Sequence, residues 1–156
     1  MTFPSPLDEA LMPLFDTLPL ERAMPDLLPH RPADQTALKV ARGLVATPEV
    51  SRYPELVAGV WLYVDDLEQS HLVSQSITSL TGSFWHAIMH RREGDFENAL
   101  YWYRSARAHP VMDRISDYSP DLIVQLAKEG DSRAVALQRL EWATLFEWTA
   151  SQRWSG

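Results

Sequence analysis

The hydrophobic positions along this chain recur at helical spacing. From Asp34 onward, Ala37, Val40, Ala41, Leu44 and Val45 form one stripe that ends near Thr47-Pro48. Pro54 opens a second, with Leu56, Val57, Val60, Trp61, Val64 and Leu67; nothing after Pro54 breaks it, so the pattern allows a helix through Asp65-Asp66 to Ile77. Thr81-Gly82-Ser83 reads as a turn, with Ser83 capping a helix from Phe84 to Glu93 that Gly94 stops. Asp95 caps Phe96 to Ala108, and His109-Pro110 ends it. Ser119-Pro120 starts a helix closed by Gly130, and Asp131 caps a last one to about Ser151. No alternating run is long enough for a strand. The pattern predicts an all-α chain of about seven helices in a single domain spanning 1–156, with Trp61, Trp85, Met89, Trp102 and Leu122 buried. Trp142, Leu145, Phe146 and Trp148 read as core, and Trp154 as an anchor for the end.

Seven of the 11 prolines fall in the first 32 residues. Short helices fit between them, since proline is tolerated in a first turn and breaks an interior. Ser5-Pro6 opens one (Leu7, Leu11, Leu14), and Leu20 to Leu28 offers another. Residues 1–32 read as an apolar segment wrapped on the core; a flexible docking arm is the competing reading.

Composition narrows the function classes. With 46% hydrophobic and 22% charged residues, the 156-residue chain has the make-up of one globular domain. The absence of cysteine excludes disulfides, thiolate metal sites and a cysteine nucleophile. A net charge of −7, with acids and bases spread evenly, argues against nucleic acid or anionic membrane as a partner. The first residues, Met1-Thr2-Phe3-Pro4-Ser5-Pro6, have neither a basic start nor an apolar run, and no stretch reaches the ~18 apolar residues of a membrane span. A cytoplasmic protein is the expectation.

Two resemblances follow from particular residues. Glu93-Gly94-Asp95 recurs as Glu129-Gly130-Asp131, 36 residues later. Gly94, Asp95 and Phe96, followed by Ala99, Tyr103, Ala106 and Pro110, resemble the turn and second helix of a tetratricopeptide hairpin, which implies paired helices at 83–108 and 119–150. His90 departs from that pattern where an aromatic is expected, and the second copy lacks the aromatic after Asp131. The run Gly82-Ser83-Phe84-Trp85-His86-Ala87-Ile88-Met89-His90-Arg91-Arg92-Glu93-Gly94-Asp95-Phe96, within 61–110, also resembles a small family of uncharacterised bacterial proteins. That likeness implies a shared fold and site and brings no activity with it.

Chemistry concentrates in the same stretch. At about 100° per residue, His86, His90 and Glu93 share an arc of about 60°, with Phe84 and Ile88 roughly opposite. Histidines at i and i+4 can ligate one metal ion; His71, Asp65 and Asp66 from the preceding helix are further ligand candidates. Imidazole with carboxylate suits zinc, iron, nickel or manganese. The competing reading is structural: imidazoles hydrogen-bonded to Asp66 or Glu97. Arg91 and Arg92, with Arg104 one helix later, offer guanidinium forks for an anion, although Arg91 and Arg92 also lie beside Glu93, Asp95 and Glu97 and could pair with them. Phosphate loops, serine elbows and dinucleotide fingerprints are absent.

Two function classes are therefore carried forward. The first is a helical binding module whose groove, around His71, His86, His90, Arg91 and Arg104, takes a small anion or a peptide. The second is a metal-dependent enzyme, hydrolytic in type, with a divalent ion on His71, His86 and His90, and Glu93 or Asp66 as ligand or catalytic base. In either class His71, His86 and His90 are expected to converge, because a short turn returns the second helix antiparallel to the first.

Overall fold

The structure is a computed structural model that describes residues 1–31 and 33–154, the side chain of Trp154 excepted. Among the described residues it is all-helical, with nine α-helices and one short 3₁₀ turn: α1 (Ser5–Thr17), α2 (Gln35–Val45), α3 (Pro48–Ser51), α4 (Pro54–Tyr63), α5 (Leu67–Ser74), α6 (Leu80–Glu93), α7 (Phe96–Ser105), the 3₁₀ turn Pro110–Asp113, α8 (Pro120–Glu129) and α9 (Ala134–Trp154). No helix among them is long and apolar enough to cross a membrane.

Local signals set most of the ends. The carboxylates of Asp34, Asp66 and Asp95 accept from backbone N–H groups three residues on, as does the Ser119 hydroxyl, satisfying donors that a first turn leaves free. Gly94 (φ 88°) and Gly130 (φ 64°) close α6 and α8 in the left-handed conformation.

The differences from the sequence reading have identifiable causes. The helix read as continuous from Pro54 breaks after Tyr63, where Asp65 turns left-handed (φ 64°), which aspartate tolerates better than most residues. That break, with the extra turn α3, raises the count above seven. The cap of α6 is Ser79, whose hydroxyl accepts from Gly82 N–H, so Ser83 lies inside the helix. Gly82 is not a turn residue: a Cβ there would stand 2.7 Å from the Ile77 carbonyl oxygen, so glycine permits the close approach of the α5–α6 connection. Helix α7 stops at Ser105, short of Ala108, and Leu20–Leu28 forms turns rather than a helix. Leu122 is exposed and Trp102 only half-buried, whereas Trp61, Trp85 and Met89 are buried. Pro32 and the Trp154 anchor lie outside the described residues.

Helix α6 is the central element. Phe84, Trp85, Ala87, Ile88 and Met89 are buried together, and the helix packs on α4, α5 and α7. Helix α9 lies against α4, where the Trp142 indole N–H donates to the Gly59 carbonyl at 2.9 Å. The N-terminal segment lies on this core through buried Leu7, Leu11, Leu14, Ala23 and Met24. Gln138 donates to the Met24 and Asp26 carbonyls, and Arg139 to that of Ala23.

Candidate functional site

Three consecutive residues of α6 face three different environments. His90 joins a histidine cluster, Arg91 enters the interior between α7 and α9, and Arg92 reaches the corner between α4 and α5. The helical rotation of about 100° per residue produces this divergence.

The histidine cluster is assembled by α5, α6 and α7. Ser70, buried on α5, donates its hydroxyl to the Ala58 carbonyl at 3.0 Å and docks α5 on α4, which leaves the next residue, His71, turned toward α6. The ring centroids of His71 lie 5.0 Å from His86 and 5.4 Å from His90, and the His86 and His90 rings stack at 4.7 Å. One donor atom from each of the three lies within 4.8 Å of the other two. From α7, Trp102 lies nearly parallel on the other face of His86, at 4.1 Å and 19°. His86 is thus sandwiched between His90 and Trp102.

Hydrogen bonding separates the members. The His90 Nδ1–H donates to Glu93 Oε1 at 2.6 Å, which leaves its Nε2 facing away from the carboxylate. Neither ring nitrogen of His86 has a hydrogen-bond partner among the described residues, although His86 is only 5% exposed. Burial, with the neighbouring His90 and His71 adding to it, pushes His86 down to about 4, so its ring is neutral and keeps a free lone pair. Buried polar atoms without a partner are uncommon in folded proteins and call for an explanation. Trp85 Nε1 and the Nε atoms of Arg91 and Arg92 are others here, but both arginines are hydrogen-bonded through their remaining nitrogens, whereas His86 has two such atoms and no bond.

Other candidates are engaged elsewhere. Asp66 is the cap of α5, its Oδ1 accepting from Gln69 N–H at 3.1 Å, and it is outside the histidine group. Glu93 serves as hydrogen-bond acceptor to His90. Arg91 is fully buried: its Nη1 donates to Glu141 and to the Tyr103 hydroxyl, both at 2.6 Å, and its Nη2 to Gln138 at 2.9 Å. The groove expected to include Arg91 therefore does not contain it. Burial works against its charge, but the adjacent Glu141 carboxylate more than offsets this, and the guanidinium is held above its ordinary range. Tyr103 and Tyr118 both donate to Glu141 Oε2, and of the Arg91 guanidinium only Nε has no partner among the described residues. Arg92, equally buried, donates to Asp65 and to the Leu62 and Asp26 carbonyls. The arginines thus pair with Glu141 and Asp65, not with the nearby acids Glu93, Asp95 and Glu97. Arg104 is exposed in the last turn of α7.

Trp102, expected from the sequence only as a buried residue, is the member of the cluster that sequence reasoning did not place there. Its signal was present: His86 stands eight residues before Gly94 and Trp102 eight after it. Positions equidistant from a tight antiparallel turn tend to meet. A separate cleft of about 330 Å³ runs along Arg22, Asp26, Arg31, Asp34 and Asp65, but its acids are already committed: Asp26 to Arg31, Asp65 to Arg92 and Asp34 to the cap of α2.

No family model, curated protein or solved structure matches the chain.

Proposed function

We propose that this protein binds a divalent first-row transition-metal ion, zinc foremost, through His71, His86 and His90. The observation that carries the reading is the unpartnered and buried His86 ring among three converging imidazoles. Tetrahedral zinc with bonds of about 2.0–2.1 Å places donor nitrogens ~3.3 Å apart, so side-chain adjustments of about an ångström close the present cluster onto an ion. The His90–Glu93 bond supports it further. Metal-bound histidines commonly donate their second N–H to a carboxylate, which fixes the tautomer and ring orientation. Glu93 is then an orienting group, neither the ligand nor the base expected from sequence.

The arginine-lined anion groove has less support, because Arg91 is committed inside the protein and only exposed Arg104 remains. The reading of 83–108 and 119–150 as tetratricopeptide-like hairpins, and of the chain as cytoplasmic, belongs with this proposal and rests on the Gly94-Asp95 and Gly130-Asp131 turns and the composition.

Calorimetric titration of the metal-free protein with Zn²⁺, with elemental analysis of the product, tests the reading. One ion per chain is expected. His71→Ala, at a half-buried position, is expected to weaken binding by at least about 100-fold while leaving the helical circular dichroism unchanged. Equal affinity in His71→Ala, or no binding by the parent, overturns it.

A further inference from the structure

We infer that the ion held by these histidines keeps one coordination position open on the His71 side, for water or a small singly charged anion. The inference rests on the metal-binding reading and adds the ligand that completes it.

The donor count comes first. Among the described residues, the group around His71, His86 and His90 contains no fourth histidine or carboxylate, and the chain has no cysteine to supply a thiolate. The carboxylate of Glu93 is bound to Nδ1 of His90, across the ring from Nε2. Three protein ligands and a vacant fourth are the arrangement of exchangeable zinc sites, whereas structural sites are closed by four.

Exposure among the three histidines is unequal. His86 and His90 are more than nine-tenths buried, and the indole of Trp102 covers the outer face of His86. His71 is half-buried and is the solvent-facing member of the three, so the side nearest it is where a further ligand has room to enter.

Charge sets the class of ligand. Three neutral imidazoles leave a divalent ion with its full charge, and Arg91 and Arg92 are turned into internal ion pairs, so the ion itself is the attraction for an anion. Glu68, one turn before His71, and Glu93 place exposed acids on the same two helices. Those acids disfavour phosphate and other multiply charged groups, and leave water, azide or a simple carboxylate.

Cobalt(II) substitution of the full chain reads this directly, because the visible bands of Co²⁺ report its coordination. Azide, and separately acetate, is added to the Co²⁺-loaded protein, and the paramagnetically shifted imidazole N–H signals are followed by NMR. Saturable movement of the bands with three imidazole signals retained is the expected result. Unmoved bands in a protein that has bound Co²⁺ overturn the open position and leave the metal site standing. Loss of an imidazole signal as the anion binds also overturns it, since the anion would then be displacing a ligand. Failure to take up Co²⁺ at all removes the metal reading together with the inference.

Discussion

The Arg91–Glu141 network and the histidine cluster leave the same turn of α6 and both reach into the interior, but their polar groups are satisfied to different extents. Around Glu141 both carboxylate oxygens are taken, by Arg91 on one side and by Tyr103 and Tyr118 on the other, and Gln138 links the group to the N-terminal segment. In the histidine cluster the central ring has two nitrogens without a partner. Burial of polar groups is costly in both places. In the first the charges are paired and only the Nε–H of Arg91 is left without a partner. In the second Glu93 satisfies His90, while both nitrogens of His86 are left over, and that difference motivates the metal-binding proposal.

The largest expected effect breaks the charge-paired side of this comparison. Arg91→Met removes the cation and leaves the Glu141 carboxylate buried with only hydroxyl donors. We expect a loss of about 3–5 kcal/mol in urea denaturation, the usual penalty for stranding one partner of a buried pair. The double variant Arg91→Met/Glu141→Gln keeps an acceptor for Tyr103 and Tyr118 while removing the stranded charge, and is expected to recover about half of that loss or more. If the double variant is as unstable as the single, the network is held by shape rather than by charge pairing.

Much of this fold was legible in the sequence, and the reason is the range over which each signal acts. Ser119, Asp95, Gly94 and Gly130 act on the backbone within three or four residues, so their roles could be read in place. The stripe of His86 and His90 was likewise legible, because it follows from the period of one helix. The partners of Arg91 and Arg92 were not. Glu141 and Asp65 lie 50 and 27 residues away, and nearer acids offered a simpler pairing that the rotation of α6 rules out. The break at Asp65 was hidden for a related reason: Arg92 holds its carboxylate at 2.6 Å, a tertiary contact at a left-handed turn that no local pattern announces. His86 carried a further ambiguity. A histidine with a carboxylate partner and one with none look identical in a sequence.

A second histidine supplies an internal control of intermediate size. His109 is as buried as His86, but its ring is satisfied: Nδ1 accepts from Val111 N–H at 3.1 Å and Nε2 meets the Thr81 hydroxyl at 3.0 Å. Burial, aided by Arg114, lowers it to about 4 from an ordinary 6.5. Protonation would also cost the Nδ1 acceptor. Between these values the unfolded chain binds a proton that the folded chain refuses, so its contribution is complete above about pH 6.5. It is lost as pH falls toward 4, to a total of about 3 kcal/mol. Denaturation at a series of pH values should show His109→Gln losing less stability over this window than the parent. Parallel curves would mean that His109 titrates normally in the folded protein.

The smallest expected effect bears on the histidine side. In His86→Phe a ring of similar shape keeps its place between Trp102 and His90, and the two unpartnered nitrogens are gone. Removing a buried polar group that lacks a partner is favourable, so the metal-free variant is expected to be more stable than the metal-free parent by about 1 kcal/mol. Metal should reverse the order. At a free Zn²⁺ concentration 100 times its dissociation constant, the parent gains about 2.7 kcal/mol because only the folded state binds, and the variant, without its central ligand, gains almost none. Paired denaturation curves with and without Zn²⁺ read both effects in one experiment. A metal-free variant less stable than its parent would show that the imidazole nitrogens of His86 contribute to the fold by themselves, and the distinction between the two clusters of α6 would fail.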